Sequence, residues 1–371
     1  MTMIRGTVRK FIPLLAGVLL AGSAFAQYNS AVRPRYEALP PHSYYPFAIN
    51  TASTPLAQWN GKFTDLTHAN ITFTMVGADP SKSNATTTIP AVIIPIKFIY
   101  GASNGNKTFN AKTDTFPNGQ TVVQLVENSP LMQSNLDFTE GGVDLGKTQY
   151  IDAFQRGNFW SKVKTNTNYH TLLGTPKVGA VLAITVPANL GSVITNPISG
   201  TGLVGTYDFG TLDVKIQAYM ASHPNLITPN VIPIFISHDI YLTSGGCCIG
   251  GYHGAVSGPP NGQTYAYSTL VDQGTNNFSQ DVSALSHEIG EWMDNPFFGT
   301  NSVNCQDNSQ LEVGDPLENN PNFGAFKYTV NGFTYNLQSL VYLGYFGAPR
   351  ATSVKSWLSF RNDEKSVCPG Q

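Results

Sequence analysis

The segment Ser286-His287-Glu288-Ile289-Gly290-Glu291-Trp292 constrains this chain more than any other. Read as a helix, Val282, Leu285, Ile289, Trp292 and Met293 fall on one apolar stripe about 100° wide, suited to packing on a core. His287 and Glu291 are four apart and stack on the opposite face, one turn from each other. Two ligand-type side chains so spaced on a rigid helix can grip one metal ion. Glu288, one step round from His287, is placed to reach a water on that ion. This is the logic of the H-E-x-x-H zinc helix, with Glu291 where the second His would stand. The pattern predicts a helix over about 279–294, stopped by Asn295-Pro296.

A His and carboxylates opposite an apolar stripe also describe a solvated helix face. A bare H-E-x-x-E arises by chance in about one chain in thirty of this length, so the placement of the other acids matters. The chain has eight Glu, and four of them (Glu288, Glu291, Glu312 and Glu318) fall within 31 residues. Leu311-Glu312-Val313-Gly314-Asp315-Pro316 follows the helix, with Glu312 lying 21 residues after Glu291. Glu312 and Asp315 are both candidates for a third ligand. A carboxylate that is not a ligand can hold the ligand His in one tautomer and raise its basicity.

Ser-His-Glu-Ile-Gly-Glu-Trp, then Asn-Pro, then Glu-Val-Gly-Asp, resembles a group of secreted proteins with the pattern H-E-[IL]-[AG]-E … E-[IV]-G-D. That group resembles zincin metallopeptidases, in whose gluzincin branch a ligand Glu follows the helix at about this distance. Cys247-Cys248-Ile249-Gly250-Gly251-Tyr252-His253-Gly254 is similar to the group's Cys- and His-containing loop. Plant Exordium-type, phosphate-induced proteins are a more distant likeness. The resemblance covers about residues 230–320. It implies a zincin-like unit with His287 and Glu291 as metal ligands, Glu312 or Asp315 as the third, and a water in the fourth position. Glu288 would be the general base. Glu291 departs from the true H-E-x-x-H pattern. One His with two carboxylates is a harder donor set, so calcium or manganese compete with zinc. The implied activity is that of a zinc-type metalloprotease, a hydrolase of protein or peptide substrates. The alternatives are a non-enzymatic secreted protein with a structural zinc or calcium ion, and a cell-wall or carbohydrate-binding protein on a degenerate zincin fold.

Arg5, Arg9 and Lys10 flank an apolar run at 11–20, and Ala24-Phe25-Ala26 offers the small residues of a cleavage site. A secretory signal peptide over 1–26 is expected, because the run is far shorter than the roughly 20 residues that span a bilayer. No later stretch is long and apolar enough to be a transmembrane segment. The expected location is secreted, extracellular or periplasmic. There the four cysteines, Cys247, Cys248, Cys305 and Cys368, would form two disulfides. A bond between neighbours is strained, so Cys247 and Cys248 are each expected to reach Cys305 or Cys368. Only 12% of the 371 residues are charged, and 21 basic side chains face 23 acidic ones. That leaves no cationic excess for phosphates and excludes the usual basic kind of nucleic-acid binder.

The expected fold class is α+β, with a β-rich region over 27–165 and the zincin-like catalytic region over 166–371. Apolar runs and alternation predict strands near 71–76, 91–100, 178–186, 193–194, 231–237 and 264–271. Helical spacing predicts helices at 150–162 and 212–222, and Gly and Cys density predicts a loop over 244–262. Pro95 implies a bulge or an edge position in its strand. His253 reads as a loop histidine hydrogen-bonded to backbone, with an extra ligand or an oxyanion donor beside Tyr252 as the alternative. His238-Asp239 follows a buried strand and is not favoured as part of a Ser-His-Asp triad. His42, His68, His170 and His223 sit in no usable pattern.

Overall fold

The computed structural model describes residues 32–45, 54–275, 277–306 and 309–371. The leader expected over 1–26 lies outside them. The site is organised by one eleven-stranded sheet. Its central strands are β1 (Val32–Ala38), β2 (Ala91–Tyr100), β3 (Leu203–Asp208), β4 (Ile232–His238), β5 (Ile240–Thr243), β6 (Cys247–Ala255) and β7 (Thr264–Leu270). β4 runs parallel to both β2 and β7, while β6 runs antiparallel to β7 and β5. β2 and β4 are near-continuous apolar runs with Ile93, Ile94, Ile96, Ile232, Ile234, Phe235 and Ile236 fully buried. Parallel strands covered on both faces require this composition.

Alternation along the strands builds two cores. Ile93, Ile232, Ile234 and Ile236 join helix α1 (Tyr150–Asn158) and helix α3 (Ser283–Asp294) on one face. Val92, Ile94, Ile96 and Phe235 join helix α2 (Phe209–Ser222) on the other. The first core reaches from Leu56 to Cys368, and β2 pairs with β4. Segments on both sides of residue 165 therefore share one sheet and one core. The region expected to be helical at 150–162 is two pieces, α1 and Trp160–Val163. Among the described residues no helix is long and apolar enough to cross a membrane.

Three local expectations are corrected. Pro95 is neither at an edge nor in a bulge; it pairs with Ile236 of β4. On its other side it falls in the gap between Lys177–Val178, paired at 92 and 93, and Leu182–Val186, paired from 96 onward. The missing N–H therefore costs no ladder bond on that side. The loop expected at 244–262 contains β6, because Gly250, Gly251 and Gly254 allow close packing under neighbouring elements. The disulfide joins Cys247 to Cys248 across a cis peptide, with Cα atoms 3.1 Å apart. Cys247 and Cys248 belong to a core cluster built around Tyr36, Tyr241 and Phe278, whereas Cys305 and Cys368 lie in the large core under α3.

β1 has a special place. Gly251 of β6 pairs with Ser268 of β7 and also with Tyr36 of β1. Cys247 pairs with Thr243 of β5 and with Val32 of β1. A strand has two edges, so β5 and β7 share one edge of β6 and β1 covers the other, running parallel to it.

Candidate metal centre

Helix α3 follows a sharp turn at Asp281, whose φ is +43°. The Asp281 carboxylate accepts the N–H of Val282 at its own end and the N–H and side-chain amide of Asn336. Asn336 lies on the strand Phe333–Gln338. One step further, Ser286 Oγ accepts the Gln338 N–H at 2.9 Å. These bonds fasten that strand along the helix and bring the Gln338 side chain to His287. The apolar stripe packs as expected, and Trp292 donates its indole N–H to Thr264 Oγ1 at 2.9 Å. The opposite face does not meet solvent. Every residue of α3 is buried, which overturns the solvated-face reading.

Gln338 fixes the histidine. Its side-chain nitrogen donates to the Gly314 carbonyl at 2.9 Å, so its oxygen must face His287 Nδ1, 2.8 Å away. Nδ1 therefore carries the proton, and the Nε2 lone pair points at Glu291 Oε2 (3.1 Å) and Asp315 Oδ1 (3.6 Å). Glu291 is oriented in turn. Its Oε1 accepts the N–H groups of Gly314 and Asp315, which leaves Oε2 toward the histidine. Asn295, the residue that ends α3, donates to Glu312 Oε1 at 2.5 Å.

β6 supplies what the sequence reading missed. His253 is a strand residue, fully buried, with its ring among the acids. Its Nδ1 lies 3.3 Å from Glu288 Oε2 and 3.8 Å from Glu291 Oε2, and its Nε2 lies 3.8 Å from Glu312 Oε2. Two ligand triplets result, His287–Glu291–Asp315 and His253–Glu291–Glu312, with Glu291 common to both. Only Asp315 has a substantially exposed side chain, at 40%. The motif glycines make room for these groups. A Cβ on Gly251 would lie 2.6 Å from Glu288 Oε1, and one on Gly314 would collide with the His287 ring.

The donors fit a divalent cation. His253 Nε2, His287 Nε2, Glu288 Oε1 and Glu312 Oε2 are buried without a hydrogen-bond partner. Each such atom costs about 1–3 kcal/mol, and together they rival the net stability of roughly 5–15 kcal/mol that a domain has. Spacings of 3.6–3.8 Å are too long for hydrogen bonds. Two ligand atoms each about 2.1 Å from one ion at a tetrahedral angle sit about 3.4 Å apart. The acid–base balance agrees. Burial, then the neighbouring Glu291, pushes Glu288 well above the carboxylate range, and burial does the same to Glu291 and Glu312. Burial, then the nearby His287, drives His253 down to about 3. These groups therefore form no ion pair with one another, and a divalent cation would be the partner able to hold their carboxylates ionised.

Of the other histidines, His42 pairs with Asp213 and His170 with Asp152, each at 2.7–2.8 Å. His238 lies in a separate acidic cluster with Asp239 and Asp272. Compared with known proteins, the chain matches no family model, no curated protein and no solved structure.

Proposed function

We propose that this chain is an exported, metal-dependent peptidase of zincin-like build, its ion held by His287, Glu291 and Asp315. The supporting observation is the buried, unpartnered His287 Nε2 facing Glu291 Oε2 and Asp315 Oδ1, in a cluster whose His253, Glu288 and Glu312 also hold unpartnered atoms. Asp315 is preferred to Glu312 as third ligand because it alone offers a solvent-facing side, which an open catalytic site needs. When bound, zinc (or manganese) supplies the Lewis acidity that makes water a nucleophile at neutral pH and polarises a scissile carbonyl. Glu288 takes the proton from the attacking water. As the water oxygen bonds to the carbonyl carbon and the C–N bond breaks, Glu288 delivers that proton to the leaving amine. Burial raises the basicity of its carboxyl, and a nearby divalent cation would draw it back to the carboxylate form that accepts the proton. His253 beside Oε2 holds its position. An extended peptide would add to the edge of β6 as a further strand. β1 fills that edge, with Tyr36 stacked on His287 at 3.9 Å and its hydroxyl donating to the Phe278 carbonyl, so substrate must displace it.

A structural ion is the second reading, favoured by the near-complete burial of His253, His287, Glu288, Glu291 and Glu312. Glu288→Gln separates the two. On a peptide library, the peptidase reading expects turnover to fall about 10²–10⁴-fold with zinc content unchanged. An active Glu288→Gln protein removes Glu288 as base. A wild type that binds zinc and cleaves no peptide leaves the structural ion.

A further inference from the structure

We infer that the chain holds a second divalent cation, of the zinc or manganese type, on His238, Asp239 and Asp272. These residues sit at the carboxyl ends of the parallel strands β4 and β7. Ligands of α/β sheets gather at such ends because chain directions diverge there and backbone gives way to side chains. His238 ends β4, Asp239 turns the chain into β5 with φ at +53°, and Asp272 lies just beyond β7.

The atoms are arranged as ligands. His238 is buried, and its Nε2 has no hydrogen-bond partner. That nitrogen faces Asp239 Oδ2 and Asp272 Oδ2, each at 3.6 Å. This is too long for a hydrogen bond and close to the separation of about 3.4 Å between two ligands of one ion. The other atoms of the three groups are already occupied. Asp114 Oδ2 sits 3.2 Å from His238 Nδ1, the carboxylate–imidazole arrangement that fixes the tautomer and turns the Nε2 lone pair toward a metal. Asp239 Oδ1 accepts the Asp272 N–H, and Asp272 Oδ1 accepts from the Gln273 side chain. The Oδ2 atoms are the ones turned toward His238 Nε2. A cleft of about 430 Å³ lined by Asp114, His238, Asp239 and Gln273 opens onto the cluster, giving the ion a path in and water for its remaining positions. An imidazole among the donors favours zinc or manganese over calcium, which takes six to eight oxygens.

Equilibrium dialysis of the full chain against Zn²⁺, read by elemental analysis, tests this. His238→Ala and Asp272→Asn should each bind about one zinc fewer per chain than wild type. His287→Ala should lose a different ion, so failure here is separate from failure of the α3 site. Asp114→Asn should retain the ion with roughly 10–100-fold lower affinity. If His238→Ala does not fold, the part-exposed Asp272→Asn decides. Equal zinc content in wild type and Asp272→Asn overturns the proposal. So does a His238 ring that keeps both N–H protons in saturating zinc, since that shows an imidazolium bridging carboxylates.

Discussion

Among the described residues, the histidine–carboxylate clusters around His238 and His287 solve the problem of charge in opposite ways. Around His238 the carboxylates keep some contact with water. Burial alone would lower the His238 pKa, yet Asp114 and Asp272 raise it to about 10. Without an ion, the cluster can hold a proton among its carboxylates, and zinc must displace that proton to bind. Around His287 water reaches only the Asp315 side. Burial lowers both histidines and raises Glu288, Glu291 and Glu312 together, so without an ion the acids are pushed toward their neutral, protonated forms rather than into ion pairs with the histidines. Solvent access, rather than residue type, decides how each cluster is charged before an ion binds.

Removing one member of each cluster should break the symmetry most strongly. His287→Ala leaves Gln338 and Glu291 buried without their partner, a loss on the order of 3–5 kcal/mol. His238→Ala should cost roughly 1–3 kcal/mol, because water can reach its carboxylates. Denaturant unfolding with and without chelator checks both, and equal losses would contradict the contrast. A smaller effect should come from the motif glycines. Gly314→Ala pushes on the His287 ring and should weaken zinc binding, at about 1–3 kcal/mol of overpacking. Gly251→Ala presses on Glu288 instead and should lower turnover while zinc content holds. Tyr36→Ala unstacks β1 from His287 and should raise kcat/KM for an extended peptide severalfold. No change in rate would mean that β1 does not limit entry. A pH-dependent effect concerns Asp281, which anchors the start of α3. Burial raises its pKa to about 7 against hydrogen bonds from Asn336 and Val282. A folded pKa above the unfolded value means the fold favours the protonated acid. Its contribution is full below about pH 4 and is lost as pH rises through 7. Urea titrations of wild type and Asp281→Asn should therefore diverge across that window, wild type weakening relative to the variant.

Helix α3 was legible because amphipathic spacing and a stop signal are local properties. The strands at 91–100, 231–237 and 264–271 were legible for the same reason. His253 was not, because a run of Gly and Cys reads as loop unless the helix packed over it is known. Gly251 is small to admit Glu288, not to make a turn. Gln338 and the His238 cluster carry no sequence signal at all. Gln338 is 51 residues from the histidine it orients, and Asp114 is 124 from His238. The bond between Cys247 and Cys248 is not legible in the sequence, because nothing local shows that the other two cysteines lie in another part of the core.

The central claim, a divalent cation on the inner face of α3, is tested most directly by anomalous diffraction at the zinc edge from crystals grown with zinc. A peak is expected within about 2.0–2.3 Å of His287 Nε2 and a Glu291 carboxylate oxygen, with Asp315 or Glu312 completing the set. A map with full zinc in solution and no peak between His287 and Glu291 would contradict it.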